Sequence, residues 1–263
     1  MAEDRIRVVA LAITPVKSLR ITARSEVLLE RGGIRGDRAF FLVDELGRMV
    51  NGKHLGALNS VAAELDEDEQ RLTLTFPSGE VLSGPIERGE QLEARFFSRS
   101  LPARVIEGPL SAALSEHAGQ ALRLVAPADR SSAIDRGPEG AVTMISQASL
   151  ASLARAAGER EIDARRFRMS IELAGAAAHE EDRWVGRELR VGEARILLRG
   201  HVGRCIVTSR HPESGEIDLP TLDLLRDYRA GVLTTEPLAF GVYGAVLRQG
   251  VVRVGDAVEL SGD

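Results

Sequence analysis

Cys205 is the only cysteine of the chain and stands in Gly203-Arg204-Cys205-Ile206-Val207-Thr208. A lone thiol cannot close an internal disulfide, so it is either a small buried packing residue or a working sulfur. The adjacent Arg204 favours the thiolate, the form that acts as nucleophile and soft metal ligand. His201 and His211 flank it in sequence, and a Cys–His pair would suit nucleophilic catalysis if the side chains met in space. Three further groups set cations at the ends of apolar runs. Lys17-Ser18 closes the run 5–16, Gly36-Asp37-Arg38 precedes 39–44, and Arg165-Arg166-Phe167-Arg168 precedes 169–173. Brought together they would bind phosphate or another anion, with arginine as a bidentate fork and lysine as a point charge. Taken singly, each reads as solvated surface charge.

The elements that must position these residues are mostly strands in the first hundred residues. Residues 5–16, 27–30 and 39–44 are apolar runs, and Asp44-Glu45-Leu46-Gly47 predicts a hairpin turn into Met49-Val50. Residues 71–76 alternate in polarity, and Pro77-Ser78-Gly79 turns them back into 80–82. Asp66 to Gln70 reads as an acidic solvated loop. Helices enter later: 110–119 closed by glycine, a helix capped by Ser146 and stopped at Gly158, and one opened by Asp218 and Pro220. Between and after them, 169–173, 188–191, 194–198, 239–247 and 251–260 predict strands, with Gly192-Glu193 as a tight turn. The expected fold is α+β, mainly β. A boundary near 97–102 divides it into 1–98 and 99–263, with no flexible linker between them.

Composition narrows the function. With 263 residues, 44% hydrophobic and 28% charged, the chain can bury one large core or two small ones. A net charge of −5 argues against broad nucleic-acid binding. No apolar stretch approaches the roughly 20 residues that cross a bilayer, and acid stands where a signal peptide needs base. A reducing cytoplasmic location is expected. CxxC pairs, HExxH and GxGxxG fingerprints are missing, so redox chemistry would need a cofactor from outside.

In order and spacing, several segments together resemble the MOSC superfamily, in which a MOSC N-terminal β-barrel domain precedes a MOSC domain. Pro15-Val16-Lys17-Ser18 is similar to the family's Y-P-V-K-S, with Thr14 in place of tyrosine. Gly36-Asp37-Arg38 with 40–43, Ile145-Ser146 to Leu150, Arg166 to Ile171, Arg204-Cys205 through Gly215, Tyr228-Arg229, Phe240-Gly241-Val242-Tyr243 and 254–258 follow the family pattern. The resemblance spans nearly the whole chain and takes in the mitochondrial amidoxime-reducing component and its bacterial relatives.

It implies two β-barrel-like units, the second decorated with short helices. It implies a molybdenum–pterin cofactor (molybdopterin), with Cys205 as metal ligand and Tyr243 near the metal. Lys17, Ser18, Arg38, Arg168 and Arg204 would hold the cofactor's phosphate and pterin. Pyridoxal phosphate binding is a further property the resemblance carries. The implied activity is reduction of small N-hydroxylated substrates, with electrons from separate ferredoxin- or flavoprotein-type partners. The alternative is a carrier or sulfur-relay protein for the cofactor without turnover. Besides Thr14, four residues depart from the pattern: Met169 and Ser170 replace proline and asparagine, His211 replaces aspartate, and Gly203 stands two before the cysteine, where the family often has serine. His211 would alter proton supply near the metal if it faced it.

Overall fold

The computed structural model describes residues 5–68, 70–128 and 136–261; residues 1–4, on which the signal-peptide reading rests, and Glu69 of the acidic loop lie outside the described residues. The run 5–16 folds as β1 (Arg7–Ile13) and leaves the strand before Lys17. A register shift between Val8 and Ala10 lets Val8 and Leu11 both point into the core, which strict alternation would forbid. Short strands follow: β2 (Thr22–Arg24), β3 (Glu26–Glu30), β4 (Gly33–Ile34), β5 (Phe41–Val43) and β6 (Met49–Val50). The turn between β5 and β6 forms as expected, with Asp44 accepting from the backbone of Leu46 and Arg48. Then come β7 (Ala62–Asp66), β8 (Arg71–Thr75) and β9 (Val81–Pro85), a meander. They lead to the long hairpin of β10 (Arg88–Phe96) and β11 (Arg99–Ile106). Residues 97–98, where the sequence reading divides the chain, form the tip of this hairpin.

The remainder alternates strands and short helices. They are α1 (Leu110–Ala118), β12 (Arg123–Pro127), β13 (Val142–Ser146), α2 (Gln147–Ala157), β14 (Ile171–Ala174), β15 (Glu188–Val191), β16 (Ala194–Gly203), α3 (Thr221–Tyr228), β17 (Ala239–Arg248), β18 (Gly250–Arg253) and β19 (Val258–Leu260). Helix ends obey local chemistry. The Ser146 hydroxyl accepts from the Ser149 amide at 3.1 Å, and Gly119 and Gly158 stop α1 and α2 in the left-handed conformation. Among the described residues no helix is long and apolar enough to cross a membrane.

Four sheets result. One of eight strands runs β19-β15-β16-β17-β13-β14-β1-β2; one of five runs β10-β11-β12-β5-β6; β18-β3-β4 and β7-β8-β9 are three-stranded. The chain is thus mainly β with α+β character, and the pairings among the described residues are open sheets rather than closed barrels. The two ends of the chain are interleaved. β1 pairs with β14, and β3 pairs with β18. One core lies under the large sheet, around Leu11, Ile171, Leu198 and Val242. A second, around Leu42, Leu58, Leu74 and Leu124, is closed by α1. Phe41 and Phe96 meet edge-to-face at 5.3 Å in a third, so the floor of the β10–β11 hairpin is fully buried while its tip is free of the core.

Candidate functional site

The ends of β1 and β16 and the turns before β5 and β14 open into one cleft of about 170 Å³. Its wall includes Lys17, Ser18, Arg38, Arg168, Arg204 and Cys205, so the structure brings together all but one of the site residues expected from sequence. Among the described residues, seven lysines and arginines line it against one acid, Asp37.

Asp37 explains how the first cations are placed. Its carboxylate accepts from the Thr14 amide at 2.8 Å and pairs with its neighbour Arg38. The Arg38 amide donates to Thr14 O, Lys17 N to Phe40 O at 2.8 Å, and Phe40 N to Pro15 O at 3.0 Å. The end of β1 is therefore stitched to the entry of β5, and Lys17 and Ser18 leave it only 8% exposed. Arg168 follows a 3-10 turn, Ala164–Phe167, and donates to Leu19 O at 2.7 Å, while Arg38 reaches Arg168 O at 3.4 Å. Ser18, Arg38 and Arg168 all have positive φ, as does Phe97. Four of the seven non-glycine residues in that strained region among the described residues thus line this cleft. Such strain persists only where surrounding contacts enforce it, and it concentrates at functional sites.

Cys205 is half-buried and begins a 3-10 turn, Ile206–Ser209, with its carbonyl held by the Thr208 amide and hydroxyl, each at 3.0 Å. Arg204 anchors it from behind. Its guanidinium donates to Phe167 O and Phe240 O at 2.8 Å each and to Met169 Sδ at 2.9 Å. Burial, then the nearby Arg136 charge, pushes the Arg204 guanidinium down to about 9, which leaves it charged at neutral pH. Its donors serve the scaffold of the cleft. Met169 is thereby explained: its thioether accepts from Arg204. Ser170 pairs with Thr143 through its amide at 2.9 Å and its hydroxyl at 3.1 Å.

The loop after Cys205 is tied down from two sides. Arg166 grips Asp218 with two 2.6 Å bonds and also donates to Arg210 O. That pairing holds the Asp218 carboxyl below the usual aspartate range. Arg210 in turn donates to Gly215 O at 2.7 Å and to Lys53 O at 3.0 Å. His211 Nδ1 accepts from the amides of Glu213 and Ser214 at 3.3 and 3.2 Å. The imidazole thus does what an aspartate side chain does in an Asx turn, and the turn survives the substitution. Neither His211 nor His201 lines the cleft. His201 bonds Thr235 and lies 3.8 Å from Asp182.

Gly215, at φ +75°, packs directly on Gly56, and a Cβ placed there would lie 1.9 Å from Gly56 O. Gly215→Ala is therefore expected to lower stability by about 2–4 kcal/mol, from the left-handed conformation and overpacking together. Urea unfolding checks this; a change within about 0.5 kcal/mol would show that the loop relaxes freely.

Tyr243 is the expected residue that does not line the cleft. Its ring lies under the Arg136 guanidinium at 4.8 Å, and Arg136, which does line it, is clamped by Glu236 at 2.9 and 2.6 Å. Against the penalty of burial, Arg136 holds the Glu236 carboxyl below its ordinary value. Arg136, Lys53 and Phe97 are wall residues that the sequence reading did not single out. A usable signal existed for two of them. Lys53 is one of only two lysines among 34 basic residues, the other being Lys17, and Phe97 occupies a hairpin tip where Asn or Gly is favoured.

Residues 5–120 match the MOSC N-terminal beta barrel domain and residues 131–259 the MOSC domain. The chain is 27% identical to mitochondrial amidoxime-reducing component 1 of Xenopus laevis, over 94% of this chain and 80% of that protein. It is also 27% identical to the Homo sapiens protein of the same name, over 97% and 83%. A molybdenum cofactor sulfurase of Oryza sativa subsp. japonica is 23% identical over 82% of this chain but only 30% of its own length. Two domain matches in order, across almost the whole chain, establish that this protein belongs to the MOSC superfamily.

Proposed function

We propose that the cleft holds a molybdenum–pterin cofactor with Cys205 as the protein ligand, and that the protein reduces small N-hydroxylated compounds. The observation that carries this reading is the convergence of the thiol with Lys17, Ser18, Arg38 and Arg168 in one cleft. The donor set fits such a group. A doubly charged phosphate suits a cradle whose described residues carry far more cations than acids. Among the described residues no group of three His, Cys, Asp or Glu could hold a bare ion, so a single soft thiolate suits a metal that brings its other ligands with it. Names of relatives support the class: amidoxime-reducing components and a molybdenum cofactor sulfurase.

When bound, the cofactor would supply a two-electron centre, so that N–OH takes up two electrons and two protons and leaves as N–H and water. The protein's share is placement. Lys17, Arg38 and Arg168 fix the anionic end, and Arg204 holds the backbone that presents Cys205. Tyr243 acts through Arg136, whose guanidinium it supports. One cysteine cannot hold a cysteine-ligated cluster, so electrons come from a separate ferredoxin- or flavoprotein-type donor.

The test is expression in a host that makes the cofactor, followed by molybdenum and pterin analysis and a benzamidoxime reduction assay with an artificial donor. About one molybdenum per chain with benzamidine formation is expected. Metal without turnover would replace the reductase by a cofactor carrier, and a metal-free protein would sink both readings.

A further inference from the structure

The cations named above account for the cofactor's anion, yet the cleft carries another. Lys53 Nζ lies 5.4 Å from the centre of the Phe97 ring, and Lys17 Nζ lies 5.8 Å from the same ring. Lys53 is exposed and, among the described residues, has no carboxylate within ion-pair distance, unlike Arg38, Arg136 and Arg166. Phe97 is 42% exposed at a backbone φ of +55°, which an aromatic residue rarely tolerates. Nothing in the core needs it there: Phe96 fills the buried position and Phe97 stands edge-on to it at 5.2 Å. Strain held at an exposed aromatic on a pocket rim points to a ligand-facing role.

The rim is also built rather than loose. Lys53 N donates to Asn51 Oδ1 at 2.9 Å, and Lys53 O accepts from Arg210, whose loop begins just after Cys205. A flat surface and an ammonium with no carboxylate partner among the described residues are thereby held on the same cleft as the thiol.

We propose that Lys53 and Phe97 form a substrate subsite that selects N-hydroxylated compounds whose flat, aromatic body carries a carboxylate. This rests on the reductase reading for the reaction but not for the binding. The ring of the substrate lies against Phe97, and its carboxylate meets the Lys53 ammonium. Lys17, with its ammonium 5.8 Å from the centre of the same ring, adds positive charge nearby.

The experiment uses the protein as isolated from a cofactor-producing host. Binding of benzamidoxime and of 4-carboxybenzamidoxime is measured by calorimetry at low and high salt, alongside turnover and molybdenum content. The carboxylated compound is expected to bind at least about tenfold more tightly, with the advantage shrinking at high salt. In Lys53→Met the ratio of the two affinities is expected to fall to near one with molybdenum retained, and Lys53→Arg should restore most of it. Phe97→Gly, which also relieves the backbone strain, should weaken both compounds. Equal affinities in the unaltered protein would overturn the proposal. So would loss of molybdenum in Lys53→Met, which would assign Lys53 to the cofactor. Preferential binding with no turnover of either compound would sink the reductase reading and leave the subsite standing.

Discussion

Cys205→Ser is expected to leave the protein folded and empty of molybdenum, with reduction of N-hydroxylated substrate lost by about a thousandfold or more. The two readouts separate because Cys205 does little for the fold. Its backbone makes the bonds to Thr208, and its side chain is half-buried on the cleft wall, so a change from sulfur to oxygen should shift stability by less than about 1 kcal/mol. The metal sees a different exchange. A thiolate is soft and readily ionised, whereas a serine hydroxyl is hard and stays protonated near neutral pH. Metal analysis, activity and urea unfolding on the same preparation check this. Equal molybdenum in both proteins would remove Cys205 as ligand and return it to the role of a packing residue.

Arg204→Ala is expected to do the reverse, destabilising the protein by about 3–5 kcal/mol. The guanidinium satisfies two carbonyls, Phe167 O and Phe240 O, and lies 5.4 Å from the Phe167 ring. Its removal leaves both acceptors unpaired beside the buried aromatic pair Phe167–Phe240, whose rings are 4.8 Å apart. Gly241 adds to the constraint. It has φ +79°, and a Cβ there would lie 2.7 Å from Met144 O and 3.4 Å from the Arg204 guanidinium, so the chain has no room to collapse into the space. Arg204→Lys should recover less than half of the loss, because one ammonium cannot span both carbonyls in the plane that the fork uses. Denaturant midpoints check this. A cofactor-free but fully stable Arg204→Ala protein would instead make Arg204 a direct cofactor contact.

Local chemistry was the readable part of this chain. Ser146 and Gly158 delimit α2 because both caps act within a few residues, and the β5–β6 turn follows from Asp44 and Gly47 in the same way. The β10–β11 hairpin was hidden because its tip is Phe97-Ser98 instead of a turn-forming pair. β13 was hidden too: Val142–Ser146 is buried on both faces between β17 and β14, so it carries no alternation. For the site, Lys17, Arg38, Arg168 and Cys205 could be nominated as residue types at strand ends. Their convergence could not, since it depends on pairings between Thr14 and Asp37 and between Arg168 and Leu19. His211 shows the opposite failure. It reads as a proton source, but its ring nitrogen is occupied in closing a turn.

The pairing of β1 with β14 also fixes a timetable for synthesis. Residues 7–13 leave the ribosome about 160 residues before their partner at 171–174 exists. At about 5–20 residues per second this is a wait of about 8–30 s. Throughout it, one edge of β1 and the apolar side chains of Val8 and Leu11 remain open to chaperones and to other nascent chains. The meander β7–β9 closes on itself within 24 residues and faces no such delay. Slow codons between β2 and β13 would lengthen the exposure, and fusing a tag to the N-terminus places it beside a strand that waits long for its partner.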